Sequence, residues 1–275
     1  PANGRQGRGI AMDLGLRGKR ALVTGSTAGI GFAAARQLAA EGAHVIVNGR
    51  TENRVQASAR RIEDYVPGAV VRGVAADLGT AEGVERLVRE VPDVDVLVNN
   101  VGIFAPQAFE QIADADWMRF FETNVLSGVR LSRAYLPGMR ARDWGRIVFV
   151  SSESAVQIPA EMIHYGMTKT AQVAVARGLA ETTAGTGVTI NSVLPGPTAS
   201  EGVATFVEEL ARERGMDFAE MEREFFTSAR PSSLLQRFGT PDEAAAMIVY
   251  VCSERASATN GAALRVDGGV VRAIL

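Results

Sequence analysis

The sequence predicts a doubly wound parallel α/β sheet, and three observations support this fold class. From Arg20 onward, short apolar runs alternate with longer stretches of helical periodicity, which is typical of a parallel sheet with helices on both faces. Parallel neighbours need right-handed crossovers of about a dozen residues or more, and the helical stretches supply them. Seven runs are found, whereas a closed parallel barrel needs one strand more. We therefore expect an open seven-stranded sheet.

The strands are expected at the apolar runs, and the helices are expected between them. The runs are residues 21–23, 45–47, 70–71, 94–98, 147–150, 188–193 and 264–266. The helical stretches are residues 30–40, 53–64, 81–90, 117–140, 160–183 and 243–253.

One further segment, residues 201–236, breaks this alternation. It combines a helical pattern with mixed charge and follows the sixth expected strand. Its apolar residues recur at helical spacing, and they are Val203, Phe206, Val207, Leu210, Phe218, Met221 and Phe225. A helical insertion at the carboxyl edge of a sheet is typical of a lid. A helical pair packed on the core is the alternative.

The composition indicates a globular chain and excludes several classes of protein. With 275 residues, 47% of them hydrophobic and 22% charged, the chain is long and apolar enough to bury a large core. No linker-like stretch interrupts residues 16–275, so we expect a single domain there, preceded by a flexible tail at residues 1–15. The net charge of −2 offers no basic surface for a nucleic acid or an anionic membrane.

The apolar and cysteine content indicates a protein of the cytoplasm. No stretch approaches the roughly 20 apolar residues of a membrane-spanning helix. Cys252 is the sole cysteine, which excludes an internal disulfide and agrees with a reducing compartment. The two histidines, His44 and His164, lie far apart in the sequence, so no cluster of metal ligands is expected.

A glycine-rich turn stands between the first expected strand and the first expected helix. Residues 24–31 read TGSTAGIG. Glycines allow a tight turn and a close approach of the backbone to a pyrophosphate, and the N–H groups at the start of the following helix attract its negative charge. This position in the chain is what a dinucleotide-binding turn requires. We therefore expect the turn to hold the phosphates of a nucleotide.

The spacing Gly25-x-x-x-Gly29-x-Gly31 resembles the turn of the short-chain dehydrogenase/reductase family. Further matches follow in chain order, and they are Asp77-Leu78, Asn99-Asn100-Val101-Gly102, Asn124, Ser152, Tyr165 to Lys169 and Pro195-Gly196. The resemblance extends from Leu16 to Gly269, and within the family the chain is similar to 3-oxoacyl-carrier-protein reductases and to ketone reductases. It implies a Rossmann-like fold and hydride transfer between a nicotinamide cofactor and a carbonyl/alcohol pair.

Two positions depart from the pattern of that family. Val101 stands where alanine is usual, and Glu153-Ser154-Ala155 stands where a glycine often follows the serines. The first departure is a modest change of bulk. The second puts a carboxylate near the mouth of the substrate site.

The same resemblance implies a set of cofactor-binding residues. They are Gly25, Ser26, Thr27, Gly29, Ile30, Gly31, Asn48, Arg50, Asp77, Leu78, Asn99, Gly102, Tyr165, Lys169, Pro195, Gly196 and Thr198. By resemblance, Asp77 contacts the adenine, while Asn99 and Gly102 line the adenosine ribose. Thr198 is expected to reach the nicotinamide amide.

Arg50 indicates which nicotinamide cofactor is bound. A cofactor without the 2′-phosphate is usually held by an acidic residue at the end of the second strand. Here that strand ends Val47-Asn48-Gly49-Arg50-Thr51, and the arginine can bind a phosphate through two charge-assisted hydrogen bonds. We therefore expect NADP(H) rather than NAD(H), with a solvated loop arginine as the alternative.

Tyr165 and Lys169 are the expected centre of the chemistry. A spacing of four residues places both on one face of a helix, where the ammonium is expected to favour the phenolate and so lower the pKa of the tyrosine. The preceding strand ends in Ser151-Ser152, at the edge where open parallel sheets bind ligands. The family uses the second serine, so Ser152 is expected to donate to the substrate oxygen. By resemblance, Asn124 helps to hold a water that connects the lysine to solvent.

The substrate and the assembly follow from the resemblance alone. We expect a small-molecule carbonyl or alcohol as the substrate, either a ketone or a 3-oxoacyl compound. An NAD-dependent alcohol dehydrogenase of the same family and a non-catalytic redox sensor are the alternatives. Residues 117–140 and 160–183 are expected to pair with their symmetry mates in a homotetramer, unless the lid or the tail covers their apolar surface. His164 is expected at a pocket wall or at the surface, because neighbours on a helix do not share a face.

Overall fold

The structure is a computed structural model, which describes residues 12–201, 203, 211–212 and 214–274. It has seven parallel strands in the order β3-β2-β1-β4-β5-β6-β7. The strands are β1 Arg20–Val23, β2 His44–Gly49, β3 Val71–Ala75, β4 Val96–Asn99, β5 Gly145–Val150, β6 Val188–Pro195 and β7 Ala263–Val266. The predicted fold class is confirmed. The order reverses between β1 and β4, and a crevice opens at the carboxyl ends of these two strands.

Helices cover both faces of the sheet. They are α1 Gly29–Ala40, α2 Glu52–Tyr65, α3 Ala81–Glu90, α4 Asp114–Phe121, α5 Ser127–Ala141, α6 Ile163–Glu181, α7 Phe218–Ser228 and α8 Pro241–Cys252. One buried core contains α1, α2 and α8 side chains, and a second contains side chains of α3, α5 and α6. Ala21 and Val23 belong to the first core and Leu22 to the second. Because side chains of a strand alternate between the faces and both faces are covered, the strands are rich in apolar residues on both sides.

Two elements differ most from their predicted form. The third strand was expected at residues 70–71, but β3 extends to Ala75 at the edge of the sheet, where Arg72 and Gly73 interrupt the apolar run. The predicted helix 117–140 is divided by a π-helical turn at Glu122–Leu126. A single wide turn leaves helical periodicity nearly unchanged, so the sequence pattern did not reveal it.

The inserted segment forms a small apolar cluster of its own. Asp217 caps α7 through a capping box with Glu220. Met221 and Phe226 pack with Phe238 and are separate from the two cores on the sheet. The predicted apolar positions Phe206, Val207 and Leu210 lie outside the described residues, as does most of the predicted tail.

None of the helices in the described ranges is both long and apolar enough to span a membrane.

Candidate active site

The glycine-rich turn after β1 is shaped for close contact with a ligand. Gly25 and Gly29 have φ angles of +60° and +56°, a region that L-residues with a Cβ rarely adopt. A Cβ on Gly31 would lie 2.6 Å from the Gly25 carbonyl oxygen, so only glycine allows the start of α1 to pack against the turn. Ile30, between Gly29 and Gly31, packs against the core. The turn therefore leaves backbone N–H groups at a helix start, which suits the phosphates of a dinucleotide.

Asn48 and Ser26 support this turn from inside the protein. The Asn48 Oδ1 accepts a hydrogen bond from the Gly25 N–H at 3.2 Å, and its Nδ2 donates to the carbonyls of Val74 and Ala76, each at 3.2 Å. The Ser26 hydroxyl donates to the Val23 carbonyl at 2.6 Å and accepts from the Asn48 N–H at 3.0 Å. Both predicted cofactor residues thus hold the turn against the ends of β1, β2 and β3.

Thr24 and Asn100 complete the support, and the sequence prediction assigned neither a role. The Asn100 Nδ2 donates to the carbonyls of Thr24 and Gly25 at 2.9 and 3.1 Å. The Thr24 Oγ1 accepts from the N–H groups of Asn100 and Val101 at 2.8 and 3.1 Å. These bonds join the turns after β1 and β4. The signal was present, because both residues lie inside the motifs that carried the resemblance.

Arg50 and Asp77 lie at the carboxyl ends of β2 and β3. Arg50 is exposed and makes no hydrogen bond or ion pair with the described part of the chain. It follows Gly49, on which a Cβ would lie 2.5 Å from the Thr27 side chain of the glycine-rich turn. Asp77 is exposed and accepts from the Gly79 N–H, whereas Leu78 is buried. A free guanidinium beside a phosphate-binding turn suits a second phosphate.

Asn99 offers a further observation on the fit of a nucleotide. Its side chain is buried at the end of β4, where Nδ2 donates to the Ser132 hydroxyl at 3.3 Å. Among the described residues, its Oδ1 has no hydrogen-bond partner. A buried acceptor at this edge suits a hydroxyl donor such as a ribose. The chain's residues therefore fit a dinucleotide along the ends of β1, β2 and β4.

Tyr165 and Lys169 lie near the start of α6, facing the end of β5. The Lys169 Nζ is 5.6 Å from the centroid of the Tyr165 ring. It is buried and donates to the Val150 carbonyl at 3.0 Å. The Ser151 hydroxyl donates to the Lys169 carbonyl at 2.8 Å and so fastens α6 to β5. A Cβ on Gly102 would lie 3.3 Å from Nζ, so this glycine leaves room for the ammonium.

Asn124 lies on the π-helical turn, where its side chain is fully buried and fully paired. Its Oδ1 accepts from the Ile103 N–H at 2.8 Å, and its Nδ2 donates to the Ile103 carbonyl at 3.0 Å and the Thr168 hydroxyl at 2.9 Å. The amide therefore fastens the loop after β4 to α6. Its own backbone carbonyl accepts a hydrogen bond from Gln172 on α6.

Gln172 joins Asn124 to Lys169, and the sequence prediction missed it. The side chain is 1% exposed. Its Nε2 donates to the Asn124 carbonyl at 2.5 Å, and its Oε1 accepts from the Lys169 Nζ at 3.1 Å. The Gln172 amide thus links Asn124 to Lys169 at the place where the resemblance implies a water beside the lysine. The signal was a lone polar residue three positions after Lys169, within the otherwise small and apolar stretch 171–176.

Ser152 is held by its neighbour Glu153. The Ser152 hydroxyl donates to the Glu153 carboxylate and accepts from the Ser154 N–H at 3.1 Å. The carboxylate is buried and faces Arg230 from the inserted segment, with 3.5 Å between Nε and Oε1. The Arg230 Nη1 also lies 3.2 Å from Glu161 Oε1. Sequence reasoning placed a carboxylate here, but it did not identify Arg230, which is 77 positions away.

The pKa of Tyr165 differs from the sequence expectation. Burial raises the pKa of the phenol above its ordinary value, and the Glu153 charge raises it further, while a hydrogen bond with Ser152 and the Arg230 charge act in the opposite direction. The expected lowering by Lys169 is therefore not found, because desolvation of the phenolate, which the Glu153 charge reinforces, sets the direction of the shift. Burial also lowers the pKa of Lys169 to about 8, against the Glu153 charge, which raises it.

Pro195, Gly196 and Thr198 lie where β6 ends. The Gly196 N–H donates to the Val266 carbonyl at 3.0 Å, and a Cβ on Gly196 would lie 2.6 Å from the Asp267 carbonyl oxygen. The Thr198 hydroxyl donates to the Gly196 carbonyl at 2.9 Å. This loop therefore stands at the same edge of the sheet as Ser152, and its Thr198 pairs with Gly239, shortly after the inserted segment.

His164 lies neither at the surface nor beside the reactive groups of Tyr165 and Lys169. Its ring is fully buried against Phe120 and Trp117, with centroids 4.0 and 5.9 Å apart. Among the described residues, no group of three or more histidine, cysteine or acidic side chains could hold a metal ion.

Comparison with known proteins agrees with this geometry. The family model described as short chain dehydrogenase matches residues 19–211. An uncharacterized oxidoreductase of Bacillus subtilis, YvaG, is 47% identical over 96% of this chain and 100% of its own length. The 3-oxoacyl-[acyl-carrier-protein] reductase FabG of Aquifex aeolicus is 32% identical over 94% of this chain and 100% of its own length.

A solved structure shows the same agreement in three dimensions. L-sorbose reductase from Gluconobacter frateurii, complexed with NADPH and L-sorbose, superposes with a TM-score of 0.91 at 34% identity, over 96% of this chain and 100% of the other. The residues matched by the family model include both the glycine-rich turn and the tyrosine and lysine of α6. This chain therefore belongs to the short-chain dehydrogenase/reductase family and is an NAD(P)-dependent oxidoreductase.

Proposed function

We propose that this chain is an NADP(H)-dependent carbonyl reductase that converts a carbonyl compound into the corresponding secondary alcohol. The observation that carries the proposal is the grouping of Tyr165 and Lys169, one turn apart on α6, beside the end of β5 that leads into Ser152. Desolvation favours the neutral phenol of Tyr165. A neutral phenol can give a proton to a carbonyl oxygen, which is the proton transfer that reduction requires.

Each residue of this group has a separate task. When bound, the reduced nicotinamide supplies the hydride. Ser152 donates a hydrogen bond to the carbonyl oxygen and holds it beside Tyr165, which gives up its phenolic proton to that oxygen. The Lys169 ammonium, 5.6 Å from the ring centroid, stabilises the phenolate that remains.

The surroundings of Lys169 keep its ammonium oriented. Val150 and Gln172 accept two of its three hydrogens, and the third is left for a hydroxyl of the cofactor ribose. Asn124 holds Gln172 from the other side. A buried lysine with fixed acceptors loses little freedom when the reaction proceeds, which favours proton transfer in one geometry.

Arg50 supports the preference for NADP(H). Its guanidinium is exposed and has no partner among the described residues, and no acidic side chain ends β2. The related L-sorbose reductase was solved with NADPH. An NAD-dependent alcohol dehydrogenase would use the same chemistry in reverse, and a redox sensor would have no need of the paired Tyr165 and Lys169.

The test is the oxidation of NADPH and NADH with a panel of ketones and 3-oxoacyl thioesters, followed by absorbance of the reduced nicotinamide. We expect faster oxidation with NADPH in the presence of at least one carbonyl substrate. A faster reaction with NADH would overturn the cofactor assignment. Tight NADPH binding without reduction of any carbonyl compound would favour the sensor.

We also propose a cytoplasmic homotetramer. The outer side of α6 carries half-exposed Val173 and exposed Ala174, an apolar surface that a second subunit can cover. Light scattering coupled to size-exclusion chromatography, with and without NADPH, tests the assembly. A monomeric mass under both conditions would refute it.

A further inference from the structure

We propose that Glu153 and Arg230 form a subsite for a hydroxyl group on the carbon next to the substrate carbonyl, so that the preferred substrates are neutral α-hydroxy ketones. The inference rests on the proposed carbonyl reduction. It assigns a substrate class to that same site, and it gives the inserted segment a part in choosing the substrate.

The first step is the position of the Glu153 carboxylate. It is 5% exposed, and it follows directly on Ser152 in a short 3-10 turn. Removing a carboxylate from water is costly unless it is paired. Here the compensation comes from Arg230, itself 9% exposed, and from the Ser152 hydroxyl. A hydrophobic residue would fill this place at lower cost, so the charge points to a role in the site.

The second step concerns the single proton of the Ser152 hydroxyl. That proton is donated to Glu153, while the hydroxyl oxygen accepts from the Ser154 N–H. Ser152 can polarise a substrate carbonyl only by turning this proton away from the carboxylate. Glu153 then loses a hydrogen bond in a buried setting, which opposes the reaction.

A hydroxyl next to the carbonyl removes this penalty. It can donate to Glu153 in place of Ser152, while the carbonyl oxygen accepts from the freed serine. The two substrate oxygens are on adjacent carbons and therefore lie close together. The serine hydroxyl and the carboxylate, which are in hydrogen-bond contact, also lie close together. A simple ketone or a 3-oxoacyl thioester has no hydrogen-bond donor on that carbon and leaves the carboxylate unsatisfied.

The third step is the charge around the pair. The Arg230 guanidinium is shared between Glu153 and Glu161, and its Nη1 also donates to the Ala229 carbonyl at 2.8 Å. The only other cation of the described site is Lys169, whose ammonium is occupied by Val150 and Gln172. A substrate carboxylate would therefore meet two acids that share one guanidinium, a net negative charge, which selects neutral compounds.

The matched substrates are hydroxyacetone, methoxyacetone and acetone, with NADPH as the reductant. Methoxyacetone keeps the oxygen and its electron withdrawal but has no hydrogen to donate. We expect kcat/KM for hydroxyacetone to exceed that for methoxyacetone by about tenfold, the effect of one hydrogen bond to a charged group. Equal values for the two compounds in the wild-type protein would overturn the inference without any variant.

The matched variants are Glu153→Gln and Glu85→Gln. Glu153→Gln keeps the size of the side chain and removes its charge, so the ratio of the two kcat/KM values is expected to fall to about threefold or less. Glu85, an exposed residue of α3, serves as the control and should leave the ratio unchanged. A ratio that Glu153→Gln does not change would contradict the proposal. Rapid reduction of 3-oxoacyl thioesters with no response to the hydroxyl would leave the proposed reductase standing and sink this inference alone.

Discussion

The cofactor side and the substrate side of this site are built in different ways. On the cofactor side, Thr24, Asn48 and Asn100 bond to backbone groups of the strand ends and the turns. On the substrate side, Ser152, Glu153 and Arg230 bond mainly to one another through side chains. Backbone partners are set by the sheet itself, whereas side-chain partners can exchange with a ligand. The comparison teaches that the cofactor side is a fixed support and the substrate side is the part that can rearrange.

The largest effect is expected from Tyr165→Phe, which removes the proton donor between the two sides. We expect kcat to fall by about 10²- to 10⁴-fold, because general acid catalysis contributes that much. NADPH affinity should stay within about twofold, since the ring and the support of the turn are unchanged. Steady-state kinetics and fluorescence titration of NADPH measure the two quantities. A variant that keeps most of its kcat would remove Tyr165 from the mechanism.

The second prediction breaks the fixed support by Gly31→Ala. The new Cβ would lie 2.6 Å from the Gly25 carbonyl oxygen, which is backbone and cannot move aside. Overpacking of this kind costs about 1–3 kcal/mol, so we expect a lower Tm and weaker NADPH binding.

Gly178→Ala is the control for that substitution. It adds the same methyl group to α6 at a point where, apart from the adjoining backbone of that helix, no atom of the described residues lies within 4 Å, and NADPH affinity should not change. Equal losses of affinity in the two variants would show that the close packing of the turn is unimportant.

The third prediction changes the choice of cofactor and leaves both the fixed support and the substrate side unaltered. Arg50→Asp removes the partner of the 2′-phosphate and adds a charge that repels it. The ratio of NADPH to NADH affinity is expected to fall by about tenfold or more, the equivalent of ~1.4 kcal/mol. Arg60→Asp makes the same change of charge on the exposed side of α2 and should leave the ratio unaltered. A wild-type protein that binds NADH more tightly would contradict the role of Arg50 outright.

The smallest effect is expected from Gln172, where the two sides meet. The pKa of Lys169 is lowered to about 8 by burial, and the reaction needs the ammonium, so activity should fall as the pH rises through about 8. Gln172→Leu removes an acceptor of the charged form and should move this fall about one pH unit lower. Gln172→Glu places a carboxylate there and should move it higher. If both substitutions shifted the pH at which activity falls in the same direction, a positioning role for Gln172 would be excluded.

Local sequence patterns were sufficient for the sheet and for most of the site. The apolar runs predicted β1, β2 and β5 to within a residue or two, because strands covered on both faces must be apolar. The turn at residues 24–31 and the spacing of Tyr165 and Lys169 are also local, since three or four neighbouring positions determine their geometry. Such features are decided by the chain within one turn or strand.

Other features depended on contacts between distant parts of the chain. Arg230 reaches Glu153 across 77 positions, and Gln172 reaches Asn124 across 48. The direction of the Tyr165 pKa shift was mistaken because burial and the Glu153 charge, which the Tyr165–Lys169 spacing does not reveal, raise this pKa. The sequence by itself therefore determined the order of the elements and the reactive groups. The tertiary structure decided which charges share a buried space, because desolvation and pairing exist only once the chain has folded.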